Sequence, residues 1–239
     1  LSSSYQIYSL GDSAATIDMG NWISNEFNDH AIAIREWILS HSFPGLKDIV
    51  VAYSSVTLYY DPFLVVQTNK VKKASAFEWV CGRLEDAFEK SAELIKSKKP
   101  TGRNMRVPVC YDDDFGFDLQ AVCLQRDLGR DELITYHLSR TYRVYMLGFL
   151  PGFVYMGEVD PRIASPRKKK PAGVQQGSVG IAGAQTGIYP FESPGGWNIV
   201  GRTPLKLFDP NADPAVLLQT GDTVEFFQIS REEFVAWKL

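Results

Sequence analysis

Hydrophobic positions along the first hundred residues switch between two periods. Tyr5 to Leu10 and Ala14 to Met19 read as short strands around the turn Gly11-Asp12-Ser13, with Ala15, Ile17 and Met19 on one side of the second. The period then lengthens: Phe27, Ala31, Ile34 and Ile38 recur at helical spacing behind a start rich in Asn and Asp, and Pro44-Gly45 stops the helix. Two strands follow, near Asp48 to Tyr53 and Val56 to Tyr60. Phe77, Val80, Leu84 and Phe88 predict a second amphipathic helix that runs to about Ile95 and ends in the solvated cluster Lys96 to Gly102. Met105, Val107 and Val109 alternate as one more strand.

From Ala14 onward the predicted order is β-α-β-β-α-β, the split arrangement of ferredoxin-like domains, with an extra strand ahead of it. This places a first domain over residues 1–110. Past Cys110 the texture changes. Two short helices, Leu119 to Leu128 closed by Gly129 and Asp131 to Leu138, precede a stretch dense in Gly and Pro. Its apolar β-type runs are Tyr142 to Leu147, Ser178 to Ala182, Asn198 to Gly201, Leu205 to Phe208 and Thr223 to Gln228. Short strands with frequent turns indicate a closed or nearly closed β architecture, so residues 111–239 are expected to form a β-barrel. The fold class is α+β.

Composition narrows the function. The chain has 239 residues, 25 Lys and Arg against 28 Asp and Glu, and a net charge of −3, which advertises no surface for nucleic acid. No apolar run approaches the roughly 18 to 20 residues of a membrane span. The start Leu1-Ser2-Ser3-Ser4-Tyr5 lacks the basic and apolar regions of a signal peptide, and a cytoplasmic location is expected. The 3 cysteines form no CxxC pair and read as reduced thiols, and the 3 histidines are too scattered for a metal site. No phosphate-binding G-x-x-x-x-G-K-[ST] occurs.

Three segments are too unusual for generic turns: Gly148-Phe149-Leu150-Pro151-Gly152-Phe153-Val154-Tyr155, Gly177 to Pro190, and Ser193 to Pro204. Glycine at this density is needed where backbone takes positive φ or approaches a ligand closely, although barrel corners need it too. Together with Leu10-Gly11-Asp12, Tyr60-Asp61-Pro62 and Val107-Pro108-Val109-Cys110-Tyr111, the Gln185-Thr186-Gly187-Ile188-Tyr189-Pro190 and Ser193-Pro194-Gly195-Gly196-Trp197 segments resemble the family of 5-oxoprolinase B subunits, also called allophanate hydrolase subunit 1 or KipI-like. The loop before Gly180 departs from the family pattern, keeping Pro166-Arg167 but carrying Lys170-Pro171 and Val174-Gln175-Gln176-Gly177.

The resemblance implies a ferredoxin-like domain followed by a cyclophilin-like barrel. It implies a non-autonomous subunit that, with homologues of the 5-oxoprolinase A and C subunits, opens the lactam of 5-oxo-L-proline to L-glutamate. ATP would be used by the complex and not held tightly by this chain. Other branches imply two alternatives, an inhibitor of a histidine kinase and a carboxyltransferase-type subunit of a urea- or allophanate-processing enzyme. Proline isomerase activity rests on fold analogy alone.

Among candidate residues, His137 could move a proton near neutrality, or it could only hold its helix against the barrel. Tyr189 and Arg202 are its companions as catalytic candidates. Arg167, Gln185 and Thr186 are the substrate-binding candidates: a guanidinium for an oxyanion, and an amide and a hydroxyl for a polar substrate. Arg167, Gln185, Tyr189 and Arg202 are expected to share one pocket at the barrel mouth. Lys168 to Lys170 and Asp112 to Asp114 read as solvated charge, His30 and His41 as surface residues, and Trp197 as a core anchor.

Overall fold

Where the pattern changes from alternation to helical spacing, Ser24 accepts a hydrogen bond from the Phe27 backbone N–H at 3.2 Å and starts the first long helix. The computed structural model describes residues 5–20, 23–69, 75–97 and 102–237. The chain divides into two units, Leu1–Thr101 and Gly102–Leu239. Of the predicted features, Leu1 to Ser4 and the Lys98 to Thr101 part of the solvated cluster lie outside the described residues.

The first unit runs β1 (Gln6–Ser9), β2 (Ala14–Asp18), α1 (Asn25–Ser40), β3 (Leu46–Val51), β4 (Ser55–Tyr60), α2 (Pro62–Thr68) and α3 (Ala76–Ser97). Its antiparallel sheet has the order β1-β2-β4-β3. Ile34 and Ile38 of α1 and Val80 and Leu84 of α3 are fully buried with Ile17, Val56 and Leu58 of the sheet. Each such side chain contributes about 1.5 to 3 kcal/mol on leaving water. His41 is exposed as expected, but His30 is half-buried and its Nδ1 lies 2.8 Å from the buried Ser91 hydroxyl. Helix α2 had no sequence signal beyond Asp61, which caps it by accepting from the Phe63 and Leu64 N–H groups, and Pro62 in its first turn.

The second unit runs β5 (Asn104–Val109), α4 (Leu119–Arg126), α5 (Arg130–Leu138), β6 (Thr141–Leu147), β7 (Val154–Gly157), β8 (Ala172–Val174), β9 (Ser178–Ala182), β10 (Gln185–Ile188), β11 (Ser193–Gly195), β12 (Asn198–Arg202), β13 (Thr223–Gln228) and α6 (Arg231–Ala236). Its main sheet has 7 strands in the order β12-β9-β10-β7-β6-β13-β5. The sheet curls until its edges meet: Cys110, just past β5, and Arg202, at the end of β12, exchange backbone hydrogen bonds of 2.8 and 2.9 Å. Buried Leu119 and Val122 of α4 and Leu133 and Ile134 of α5 join the inward residues of the strands in one core.

The structure corrects the expected domain boundary at residue 110. Strand β5 belongs to the second unit, where it runs parallel to β13 with Met105 opposite Val224 and Val107 opposite Phe226. In the first sheet the place beside β2 is taken by β1, from the N-terminal hairpin. Alternation marks a strand without naming its partner, and β5 pairs with residues more than a hundred positions away in sequence. Two smaller corrections concern loops. Gly129 caps the start of α5, and it is Asp127, in the left-handed region at φ 54°, that ends α4. Leu205 to Phe208 is not a strand; Phe208 makes a single bridge to Val216.

Candidate functional site

The Gln-Thr-Gly-Ile-Tyr-Pro segment lies on and just past β10, and the two-residue period of a strand divides its side chains between opposite faces. Thr186 and Ile188 face the main core, as do Val179 and Ile181 of the adjacent β9. Gly187 and Tyr189 face the other way, toward a smaller cluster formed by Phe153, Val174, Ala182, Tyr189, Trp197 and Ile199. A β-carbon on Gly187 would stand 2.7 Å from the Val154 carbonyl oxygen and 2.9 Å from the Trp197 ring. Only glycine lets the indole lie this close to the strand.

On the inner face His137 is fully buried and bridges two elements. Its Nδ1 lies 2.7 Å from the Tyr111 hydroxyl and its Nε2 3.0 Å from Thr186 Oγ1. Thr186 Oγ1 in turn donates to the Gly180 carbonyl at 3.1 Å, so it accepts from His137, which fixes the proton on Nε2 and makes Tyr111 the donor to Nδ1. The Phe226 ring stacks on the imidazole at 4.8 Å, and the Tyr142 hydroxyl donates to the His137 carbonyl at 2.7 Å. Burial without an opposite charge lowers the histidine pKa to about 3, so the ring is neutral at physiological pH. Both nitrogens are engaged and no solvent reaches them. His137 and Thr186 therefore tie α5 to β10, and neither lines the cleft on the opposite face of the strand.

On the outer face the small cluster floors an open cleft of about 480 Å³. Its wall is aromatic: Phe149, Phe153, Tyr155, Tyr189 and Trp197. Arg167, Lys168 and Lys169 supply its cationic side, and among the described residues no carboxylate lines it. Phe153 sits edge-on to Tyr189 at 4.9 Å and to Trp197 at 5.5 Å, a geometry aromatic pairs prefer. Burial pushes the Tyr189 phenol up, opposed by a hydrogen bond from the Trp197 backbone N–H and by the charge of Arg167. The Tyr189 ring lines the cleft beside Arg167. Gly195 makes room for it, since a β-carbon there would stand 2.7 Å from the Tyr189 oxygen.

Of the four residues expected to share a pocket, the structure brings together Arg167 and Tyr189 only. Gln185 opens β10 opposite Gly157 and lies outside the cleft lining. Arg202 is bound up in the seam of the sheet: Nε donates to the Gln176 carbonyl at 2.7 Å, Nη1 donates to Gln175 Oε1, and the guanidinium lies 5.6 Å from the centre of the Phe234 ring. These contacts hold it outside the cleft lining. Lys168 is not simply solvated either, because its ammonium pairs with Asp118 at 2.6 Å, the same carboxylate oxygen that accepts from the Ile199 N–H. Asp113 and Asp114 pair with Arg130 and Arg231, and among the described residues no cluster fit to hold a metal is found. Trp197 is only 2% exposed, a core anchor as expected, yet it also lines the cleft. The sequence marks the Gly148 to Tyr155 segment as unusual without choosing among its side chains; the signal was the two-residue spacing of Phe153 and Tyr155, which sets both on the outer face.

The carboxyltransferase domain family, subdomains C and D, is matched over residues 5–218. The chain is 41% identical over 235 residues to the 5-oxoprolinase B subunit of Bacillus subtilis, covering 98% of this chain and 97% of that one. Among solved structures, PH0987 from Pyrococcus horikoshii is 40% identical with a TM-score of 0.54, covering 96% of this chain and 100% of that one. TTHA0988 is 35% identical with a TM-score of 0.72 over 91% of this chain, which spans only 40% of that longer chain. Among the described residues no helix is long and apolar enough to cross a membrane. With its motifs placed on a curled sheet and 98% of its length matched by a relative at 41% identity, the chain belongs to the carboxyltransferase C/D domain family and, within it, to the 5-oxoprolinase B subunits.

Proposed function

We propose that this chain is the B subunit of an ATP-dependent 5-oxoprolinase that opens the lactam of 5-oxo-L-proline to L-glutamate in the cytoplasm, together with homologues of the A and C subunits. The observation that carries this reading is the match to a relative of that name over 98% of this chain and 97% of the relative. A match of that extent differs in kind from sharing one domain of a larger enzyme. The ferredoxin-like and cyclophilin-like descriptions of the two units belong to the same reading.

A lactam carbonyl is a poor electrophile because the ring nitrogen donates into it. ATP, acting at the level of the assembly, supplies the activation that makes water addition and C–N cleavage favourable. This chain carries no P-loop, so turnover is assigned to the complex and not to the chain alone. What this chain offers is recognition: a cation and phenolic donors at the edge of an aromatic cleft.

Co-purification with the A and C homologues, followed by measurement of ADP and glutamate formed in the presence of 5-oxoproline, tests the proposal. Turnover by the complex and none by any single chain is expected. A complex that forms but releases neither product, or full turnover by this chain alone, would overturn it.

A further inference from the structure

We propose that the cleft on the outer face of β9 and β10 binds a small organic monocarboxylate, with Arg167 taking the carboxylate and Phe153 and Trp197 taking the apolar face of the molecule. This rests on the oxoprolinase reading and deepens it, because 5-oxoproline is such a ligand, and it assigns substrate recognition to this chain.

The sign of the ligand follows from the lining. Among the described residues three cations and no acid line the cleft, and one of the cations, Lys168, is already neutralised by Asp118 at 2.6 Å. Arg167 and Lys169 remain, and of these only a guanidinium offers the planar fork that meets both oxygens of a carboxylate. Arg167 is exposed and stands near enough to Tyr155 and Tyr189 for its charge to act on both phenols. The Tyr189 oxygen accepts from the Trp197 N–H, which leaves its own O–H free to turn outward as a further donor.

The shape of the ligand follows from the rest. Phe153 and Trp197, packed edge-on in the floor, offer only ring carbons, and Gly195 and Gly196 add bare backbone to the lining, so the part of the ligand that rests on them is apolar. Phe149 forms the outer wall. It is one of two residues other than glycine with positive φ among the described residues, at 67°, and it is 63% exposed with its ring edge-on to Phe153 at 5.8 Å. A residue with a β-carbon is held in the left-handed region only where the surrounding structure imposes it, and such strain gathers at ligand sites.

The full chain titrated with 5-oxo-L-proline, followed by calorimetry and by tryptophan fluorescence, gives the first readout. The same variants assembled with the partner proteins give the second, the KM for 5-oxoproline against kcat. Arg167→Ala is expected to weaken binding and raise KM at least tenfold, and Phe149→Ala severalfold. Lys170→Ala, which alters a charge outside the cleft lining, is expected to leave both unchanged. Binding seen only in the assembly supports the proposal if it depends on Arg167. Wild-type affinity and wild-type KM in Arg167→Ala would overturn it. The two readings fail separately. An active complex indifferent to Arg167 sinks the cleft and leaves the oxoprolinase assignment standing. A complex without oxoprolinase activity, in which this chain still binds monocarboxylates through Arg167, does the reverse.

Discussion

The two faces of β10 carry residues from one six-residue motif and do opposite work. Inside, Thr186 completes a hydrogen-bonded chain from Tyr111 through His137 to the Gly180 carbonyl, with every donor used and water excluded. Outside, Tyr189 and its neighbours leave a guanidinium and a phenol facing an open cleft. A polar residue in an unusual motif is thus no guide to function until its face is known. The interior set is polar because a helix must be fixed to a strand in a place where unsatisfied groups are costly. The exterior set borders an open cleft, where the proposed ligand would meet it.

The sharpest way to break this contrast is His137→Ala. It opens a cavity and strands the Tyr111 and Thr186 hydroxyls, so unfolding by urea should show a loss of about 3 to 5 kcal/mol. Activity per folded molecule should be kept.

Acid should act through the same residue. His137 has a pKa of about 3 when folded against an ordinary value of 6.5. Below pH 6.5 the unfolded chain takes up a proton that the folded chain refuses, so stability falls as pH drops from 6.5 toward 3, by at most about 1.4 kcal/mol per unit from this one group. His30, also lowered by burial, adds in the same direction. Asp160, held low by hydrogen bonds from Arg162, acts in the same sense only below the ordinary carboxylate range. His137→Gln can accept from Tyr111 and donate to Thr186 without titrating, so the difference between its pH–stability profile and the wild-type one isolates His137. A pair of identical profiles would contradict the buried neutral imidazole.

Gly187→Ala attacks the outer face. Its β-carbon would press on the Val154 carbonyl and the Trp197 ring, with an expected loss of about 1 to 3 kcal/mol and altered Trp197 fluorescence. The smallest effect expected is a gain. Phe149→Gly relieves the left-handed strain and should raise stability by about 1 kcal/mol, seen as a rise in Tm, while weakening ligand binding through loss of the wall.

The elements were more legible in the sequence than their partnerships. Phe27, Ala31, Ile34 and Ile38 announced α1, and the alternation of Met105, Val107 and Val109 announced β5, because period is local. That β5 would pair with β13 was not written in it, and the domain boundary moved accordingly. At the site, Arg167 and Tyr189 could be picked out by residue type and motif. The Lys168–Asp118 pair spans fifty residues of chain, and the engagement of Arg202 with Gln175 and Gln176 depends on how the sheet closes. Strand period alone divides the β10 motif between core and cleft, but the short run Gln185 to Ile188, with a glycine at its third position, carries no apolar alternation that marks it as a strand.

The central claim is that the outer face recognises the ligand and the inner face only holds the fold. It is tested most directly by measuring Tm and kcat/KM for 5-oxoproline on the same assembled preparations of Arg167→Ala and His137→Gln. The account predicts that Arg167→Ala loses at least tenfold in kcat/KM with its Tm unchanged, and that any loss in His137→Gln appears in Tm and not in activity per folded molecule. Wild-type kcat/KM in Arg167→Ala, beside a fully folded but inactive His137→Gln, would contradict it.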